Sequence, residues 1–192
     1  MTFNDYNIVI TGLGGQGLIR LLQILGHALV TQGYKVITSE THGLSQRGGI
    51  VTCFLRFGNK LNAPIPMVGS TDMIIALEES SIIEVLKYAK PDKSTILIIS
   101  TYEKHNIIEE YISLDYLLNM LYEKSEKLYF IPTMEIALKL SKNLRTMNIV
   151  ILGYILNFLP LDKSIVEESM KQFFKKDTLE MNLNVFNEGF NL

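Results

Sequence analysis

Apolar and polar positions along the chain switch between two periods. Residues 6–11 (YNIVIT) are a short β-branched run stopped by glycine, which predicts a buried strand. Residues 17–31 change period: Leu18, Leu21, Leu22, Leu25, Leu29 and Val30 fall on one helical stripe, and Gly33 supplies a stop. Residues 35–39 (KVITS) return to strand. A strand, a glycine loop, a helix and a strand in that order predict parallel pairing through a right-handed crossover.

The alternation continues. Residues 40–49 are polar and glycine-rich and read as a loop, 50–57 (IVTCFLRF) as a third strand, and 58–71, with Pro64 and Pro66, as an irregular surface segment. Strands are expected at 72–77, 94–100 and 128–131, and helices at 78–88, 114–124, from Pro132 to about 144, 148–159 and 163–175. Gly153 lies inside an apolar helix, where glycine costs roughly 1 kcal/mol against alanine, so close packing against another element is expected there. Residues 182–192 show no clear period and read as extended. The pattern predicts an α/β fold: a mainly parallel, Rossmann-like sheet flanked by helices, with function in loops at the carboxyl ends of strands. Residues 1–180 are expected to form a single domain and 181–192 a docking tail.

Composition narrows the function. The chain has 192 residues and a net charge of −2, which gives no concentrated basic surface for nucleic acid. Its one cysteine, Cys53, cannot form an internal disulfide, nor hold an iron–sulfur cluster, which needs about four. His27, His42 and His105 lack zinc-like spacing. No basic stretch precedes an apolar run at the start, and no apolar run is long enough for a membrane span, so a cytoplasmic protein is expected.

Two loops carry candidate chemistry. Gly12, Leu13, Gly14, Gly15, Gln16 and Gly17 match G-x-G-x-x-G between a strand and a helix, and Glu40 follows at the end of the second strand, where a carboxylate can hold a ribose diol. That pattern suits the pyrophosphate of NAD or FAD at a helix start. It equally suits a tight turn and close helix–sheet packing with no ligand. The second loop runs Glu40, Thr41, His42, Gly43, Leu44, Ser45, Gln46, Arg47, Gly48, Gly49. Arg47 can clamp a carboxylate or phosphate with two parallel hydrogen bonds, and His42 can titrate near neutrality. Three readings stand for this loop: catalysis, with His42 as the acid–base group and Arg47 as the other candidate, polar contacts of Arg47 and Glu40 that only order it, or one wall of a site completed by another subunit. The third is preferred.

Together these stretches resemble the small, gamma- or beta-type subunit of 2-oxoacid:ferredoxin oxidoreductases. The Gly12–Gly17 loop is the first mark, and the Glu40 to Gly49 loop, with Val51 continuing it, the second. The Gln46-Arg47-Gly48-Gly49 form is most similar to the beta subunit of indolepyruvate oxidoreductase. Ala63-Pro64-Ile65-Pro66, Asp72 through Leu77-Glu78, Asn148 with Leu152-Gly153, and residues 180–189 follow in order. The resemblance implies the fold of the pyruvate–ferredoxin oxidoreductase gamma domain and a division of labour. A larger partner would carry thiamine diphosphate, magnesium and iron–sulfur clusters. The complex would oxidatively decarboxylate an arylpyruvate, pass electrons to ferredoxin and release the acyl group on coenzyme A. This chain has no Gly-Asp-Gly…Asn magnesium motif of the thiamine type. It would complete the active site through Gly12, Gly14, Gly15, Gln16, Gly17, Glu40, His42, Ser45, Gln46, Arg47, Gly48 and Gly49, with Arg47 meeting an anion. In isolation the chain is a plausible homodimer. Two alternatives remain at this point: a stand-alone nucleotide-binding Rossmann protein and a non-catalytic assembly module.

Overall fold

A computed structural model describes residues 5–42, 49–101 and 114–192. Six strands form one sheet in the order β2-β3-β1-β4-β5-β6: β1 (Tyr6–Leu13), β2 (Lys35–His42), β3 (Ile50–Gly58), β4 (Met73–Ala76), β5 (Ile96–Ser100) and β6 (Lys127–Ile131). The β1–β4, β4–β5 and β5–β6 ladders are parallel, whereas β3 is antiparallel to both β1 and β2. Every strand except β3 therefore points the same way, so the sheet is mixed but mainly parallel.

The expected pairing of the first two strands does not occur. The strand that follows helix α1 (Leu18–Thr31) lies at the edge, and β3 folds back to separate it from β1. Two physical preferences account for this. Strands joined by a short connection pair antiparallel. The more apolar strand also takes the inner place: Cys53, Phe54, Leu55 and Phe57 are buried, whereas β2 (KVITSETH) is mostly exposed or half-buried, as a lysine-bearing edge strand should be. Residues 40–42, expected in a loop, extend β2 and pair with residues 51–53.

Side chains alternate between two buried layers. Ile8, Ile10, Leu55, Met73, Ile75 and Ile98 face α1, α3 (Thr133–Ser141), α4 (Met147–Ile155), α5 (Lys163–Phe173) and α6 (Lys176–Phe190). Val9, Phe54, Ile74, Ala76, Leu97 and Ile99 face α2 (Leu114–Lys124) and two short 3-10 turns at Ser80–Glu84 and Leu86–Tyr88. Those turns replace the helix expected over 78–88. Both oxygens of the buried Glu78 carboxylate accept hydrogen bonds from Ser80 and Ser81, which tightens the first turn.

The extended tail expected beyond residue 181 is also corrected, because those residues continue α6. The face that α6 buries is Asn182, Val185, Phe186 and Gly189, so an asparagine and a glycine hold positions where a periodic pattern seeks apolar side chains. Gly189 and Gly153 explain each other. A Cβ on Gly153 would lie 2.1 Å from the carbonyl oxygen of Phe186, and one on Gly189 would lie 2.1 Å from that of Val150. Helices α4 and α6 thus cross with their backbones in contact, which is the close packing that Gly153 predicts. Among the described residues no helix is long and apolar enough to cross a membrane.

Candidate functional site at the carboxyl edge

Chain direction brings the two glycine-rich segments to one edge. In the sheet register Gly12 lies opposite Val51, and Val51 opposite His42, so the first turn and the ends of the β2–β3 hairpin share one row. Beyond the ladder, the backbone N–H of Gly14 donates to the carbonyl of Gly49 at 3.0 Å. Gly43, Leu44, Ser45, Gln46, Arg47 and Gly48, together with the side chain of His42, lie outside the described residues. Described are Gly12, Gly14, Gly15, Gln16, Gly17, Glu40, Gly49 and the backbone of His42.

The first turn is built from specific contacts. Gln16 folds back across it: its Oε1 accepts from the Leu13 N–H at 2.7 Å, and its Nε2 donates to the Leu77 carbonyl at 3.1 Å. The amide thereby stitches the end of β1 to the end of β4. Gly12 leaves room for it, since a Cβ there would come within 2.6 Å of Gln16 Oε1. Gly15 and Gly17 both have positive φ, at 99° and 83°, a backbone region that side chains disfavour. Gly17 has a second constraint: a Cβ would sit 2.4 Å from Nδ2 of Asn148. That amide nitrogen donates to the Gly17 carbonyl at 2.9 Å, and the same carbonyl accepts from Leu21 in the first turn of α1 at 3.0 Å.

A cavity of about 220 Å³ opens beside this turn, lined by Leu13, Gly14, Gly15, Gln16, Leu144, Arg145 and Met147. The turn Leu144–Thr146 that supplies Arg145 is capped by Asn143, whose Oδ1 accepts from the Arg145 N–H at 3.1 Å. An arginine at the rim, apolar walls and a glycine backbone suit an anionic group on an apolar body. Leu144, Arg145 and Met147 escaped sequence reasoning. Arg145 stands in a polar stretch with no motif around it, and nothing local links residue 145 to residue 15.

This topology does not favour the dinucleotide reading. It requires the acidic residue at the end of the second strand to lie beside the first glycine turn. Here Glu40 pairs with Cys53 and Cys53 with Ile10, so a whole strand intervenes and Glu40 stands about 10 Å from β1, two strand spacings. Gln16 also occupies the junction between the carboxyl ends of β1 and β4, where the strand order reverses and such folds seat their ligands. Cys53 is no nucleophile. Burial, and then the Glu40 carboxylate, push its thiol up to about 12.

Comparison with known proteins agrees with the architecture. The model of the pyruvate ferredoxin/flavodoxin oxidoreductase family matches residues 7–192. Indolepyruvate oxidoreductase subunit IorB of Archaeoglobus fulgidus is 33% identical, the alignment covering 96% of this chain and 94% of that protein. The crystal structure of pyruvate oxidoreductase subunit PORC of Thermotoga maritima superposes with a TM-score of 0.75 at 17% identity, covering 98% of this chain and 97% of that one. The 2-oxoglutarate:ferredoxin oxidoreductase of Magnetococcus marinus, solved with 2-oxoglutarate, coenzyme A and succinyl-CoA bound, also gives 0.75, at 21% identity. There 97% of this chain is covered, but only 30% of the longer one. A glycine turn tied to the β2–β3 hairpin, on a sheet shared with these proteins and in a sequence related along nearly its whole length, makes this chain a member of the pyruvate ferredoxin/flavodoxin oxidoreductase family and one subunit of a 2-oxoacid:ferredoxin oxidoreductase.

Proposed function

We propose that this chain is the small subunit of an oxidoreductase for aryl-2-oxoacids of the indolepyruvate kind, and that its two glycine turns form one wall of an active site whose cofactors sit on a larger partner subunit. The substrate class rests on the likeness to IorB, whose alignment leaves little of either chain unmatched. The role of the turns rests on one observation, the hydrogen bond from Gly14 to Gly49 that fastens them together at the edge where α/β sheets present ligands.

The chain's own donors do not fit a redox cluster. Cys53 is its single cysteine and is fully buried, whereas a cluster needs about four thiolates. Thiamine diphosphate, magnesium and the iron–sulfur clusters are therefore assigned to the partner, and with them the decarboxylation and the electron transfer to ferredoxin. This chain's part is to shape the wall, exclude water and present charge. Arg47 is the residue assigned to an anionic group, either the 2-oxoacid carboxylate or a phosphate of coenzyme A.

The test is co-expression with the larger subunit and a dye-reduction assay with indolepyruvate and coenzyme A. Arg47→Ala is expected to lower kcat/KM at least tenfold while the circular dichroism and melting of the chain stay unchanged. Unaltered turnover of the reconstituted complex would remove that role. Micromolar binding of NADH or FAD by the isolated chain would instead favour the nucleotide-binding alternative.

A further inference from the structure

Asn148 costs the fold more than it returns in stability. Its side chain is buried, with the residue 3% exposed. Its Nδ2 makes one hydrogen bond, to the Gly17 carbonyl, and its Oδ1 accepts none among the described residues. A neutral hydrogen bond contributes about 0.5–1.5 kcal/mol net, whereas a buried acceptor left without a donor costs about 1–3 kcal/mol. The Gly17 carbonyl is already satisfied by Leu21, so it does not depend on Asn148 for a partner. By magnitude alone, a small apolar residue at 148 would serve the core as well. What the amide does supply is shape. It fills the space that a side chain on Gly17 would take, at the point where the turn becomes helix α1, and it ties that point to the start of α4. Met147 and Arg145, just before it, line the same cavity as Gly14, Gly15 and Gln16.

We infer that Asn148 is a positioning residue for the shared site: its amide holds the Gly14–Gly17 turn at a fixed height over the cavity and so sets the wall presented to the partner's substrate. This rests on the proposed role of the turn. It extends that role to a residue 131 positions away in sequence.

The experiment uses the complex reconstituted with the larger subunit, and three variants: Asn148→Ala, Gly17→Ala and the pair together. Asn148→Ala is expected to leave assembly intact and the melting temperature of the chain unchanged or slightly raised. It is expected to raise KM for indolepyruvate or coenzyme A about tenfold with kcat changed less than threefold. Gly17→Ala drives a methyl group into the amide and is expected to be worse. With Asn148 shortened that collision is gone, so the double variant should be no worse than Gly17→Ala alone. An unchanged KM in Asn148→Ala, a fall in activity that merely tracks loss of stability or assembly, or losses that multiply in the double variant would each overturn the inference.

A second measurement separates this inference from the reading beneath it. Amide hydrogen exchange of the isolated chain should speed up about tenfold at residues 14–18 in Asn148→Ala, with β1 unaffected. If the wild-type complex turns over no 2-oxoacid, the functional reading fails, and exchange alone then decides whether Asn148 holds the turn. Unchanged exchange there would overturn the inference by itself.

Discussion

Two buried asparagines stand at opposite ends of the sheet, and they are treated differently. At the amino edge, Asn7 has every polar group engaged. Its N–H donates to Asp72 Oδ2 at 2.7 Å, its Oδ1 accepts from Arg56 Nε at 2.7 Å, its Nδ2 donates to the Ser70 carbonyl at 2.8 Å, and its carbonyl accepts from the Asp72 N–H at 2.9 Å. Lys90 closes the network on Asp72 Oδ1 at 2.5 Å, and Arg56 reaches the Ala63 carbonyl at 2.6 Å. The proline-bearing segment after β3 is thereby pinned to the sheet. At the carboxyl edge, Asn148 is buried more deeply, yet half of its amide has no partner among the described residues. A fully satisfied polar network makes a structure unique, whereas a partly satisfied one marks a place where the fold gives up stability for something else. The Asn7 network holds the amino edge together, although Thr71 beside it buries a hydroxyl with no partner among the described residues, whereas at the carboxyl edge the unpartnered amide oxygen stands beside the glycines and the cavity.

Three changes test that division, and the largest should erase it. Helix α4 carries Asn148 near its start and Gly153 further along, so a defect at its crossing with α6 should reach the carboxyl edge and the core alike. Gly153→Ala places a methyl carbon 2.1 Å from the Phe186 carbonyl oxygen, and backbone cannot yield as a side-chain tip can. Overpacking of this kind costs on the order of 3 kcal/mol. The expected result is a fall in melting temperature of roughly 6–12 °C together with lost activity of the complex. A stable, active Gly153→Ala variant would show that the two helices can part freely.

The second change should sharpen the contrast. Asn7→Ala removes a hydrogen bond from a charged donor and strands the Ser70 carbonyl, which costs about 2–3 kcal/mol. Melting should drop by roughly 5–10 °C. Activity per assembled complex should stay at the wild-type level, because Asn7 lies at the far end of the strands. Reduced kcat/KM at full assembly would deny the separation of the two edges.

The sequence carries this division unevenly, for physical reasons. Strands and helices that bury apolar stripes announce themselves: α1 is legible from Leu18, Leu21, Leu22, Leu25 and Leu29, and β3 from its β-branched and aromatic run. The first glycine-rich segment is legible as a turn, since no other residue type gathers so densely there; of the second, residues 43–48 lie outside the described residues. The strand order is not. Whether β2 pairs with β1 or turns back on β3 depends on which strand is apolar enough for the inside place, a competition between segments that no local window contains. Helix α6 is hidden because its contact face uses Asn182 and Gly189. The reach of Asn148 to Gly17 is hidden because it is a tertiary contact between two polar positions. Asn148 stands in the resemblance as a family mark, but its partner becomes visible only in three dimensions.

The smallest expected effect comes from the middle of the sheet, where Cys53 lies between Glu40 and Ile10, within reach of neither edge network. Burial, and then the carboxylate of Glu40, raise its thiol from the ordinary value of 9.0 to about 12. A raised value means that the folded chain holds the proton more tightly than the unfolded chain does. The thiol's contribution to stability is therefore fully present below about pH 9 and is lost as pH rises toward 12. Two measurements follow. At pH 8 the native chain should react with a disulfide reagent only as fast as it opens, and the melting temperature of Cys53→Ala should fall less steeply between pH 9 and 11 than that of the wild type. Reaction at the rate of a free thiol would mean that β3 is exposed at Cys53. Glu40 would then stand at an open edge, and the separating strand, on which the case against a bound dinucleotide rests, would not be the closed one seen here.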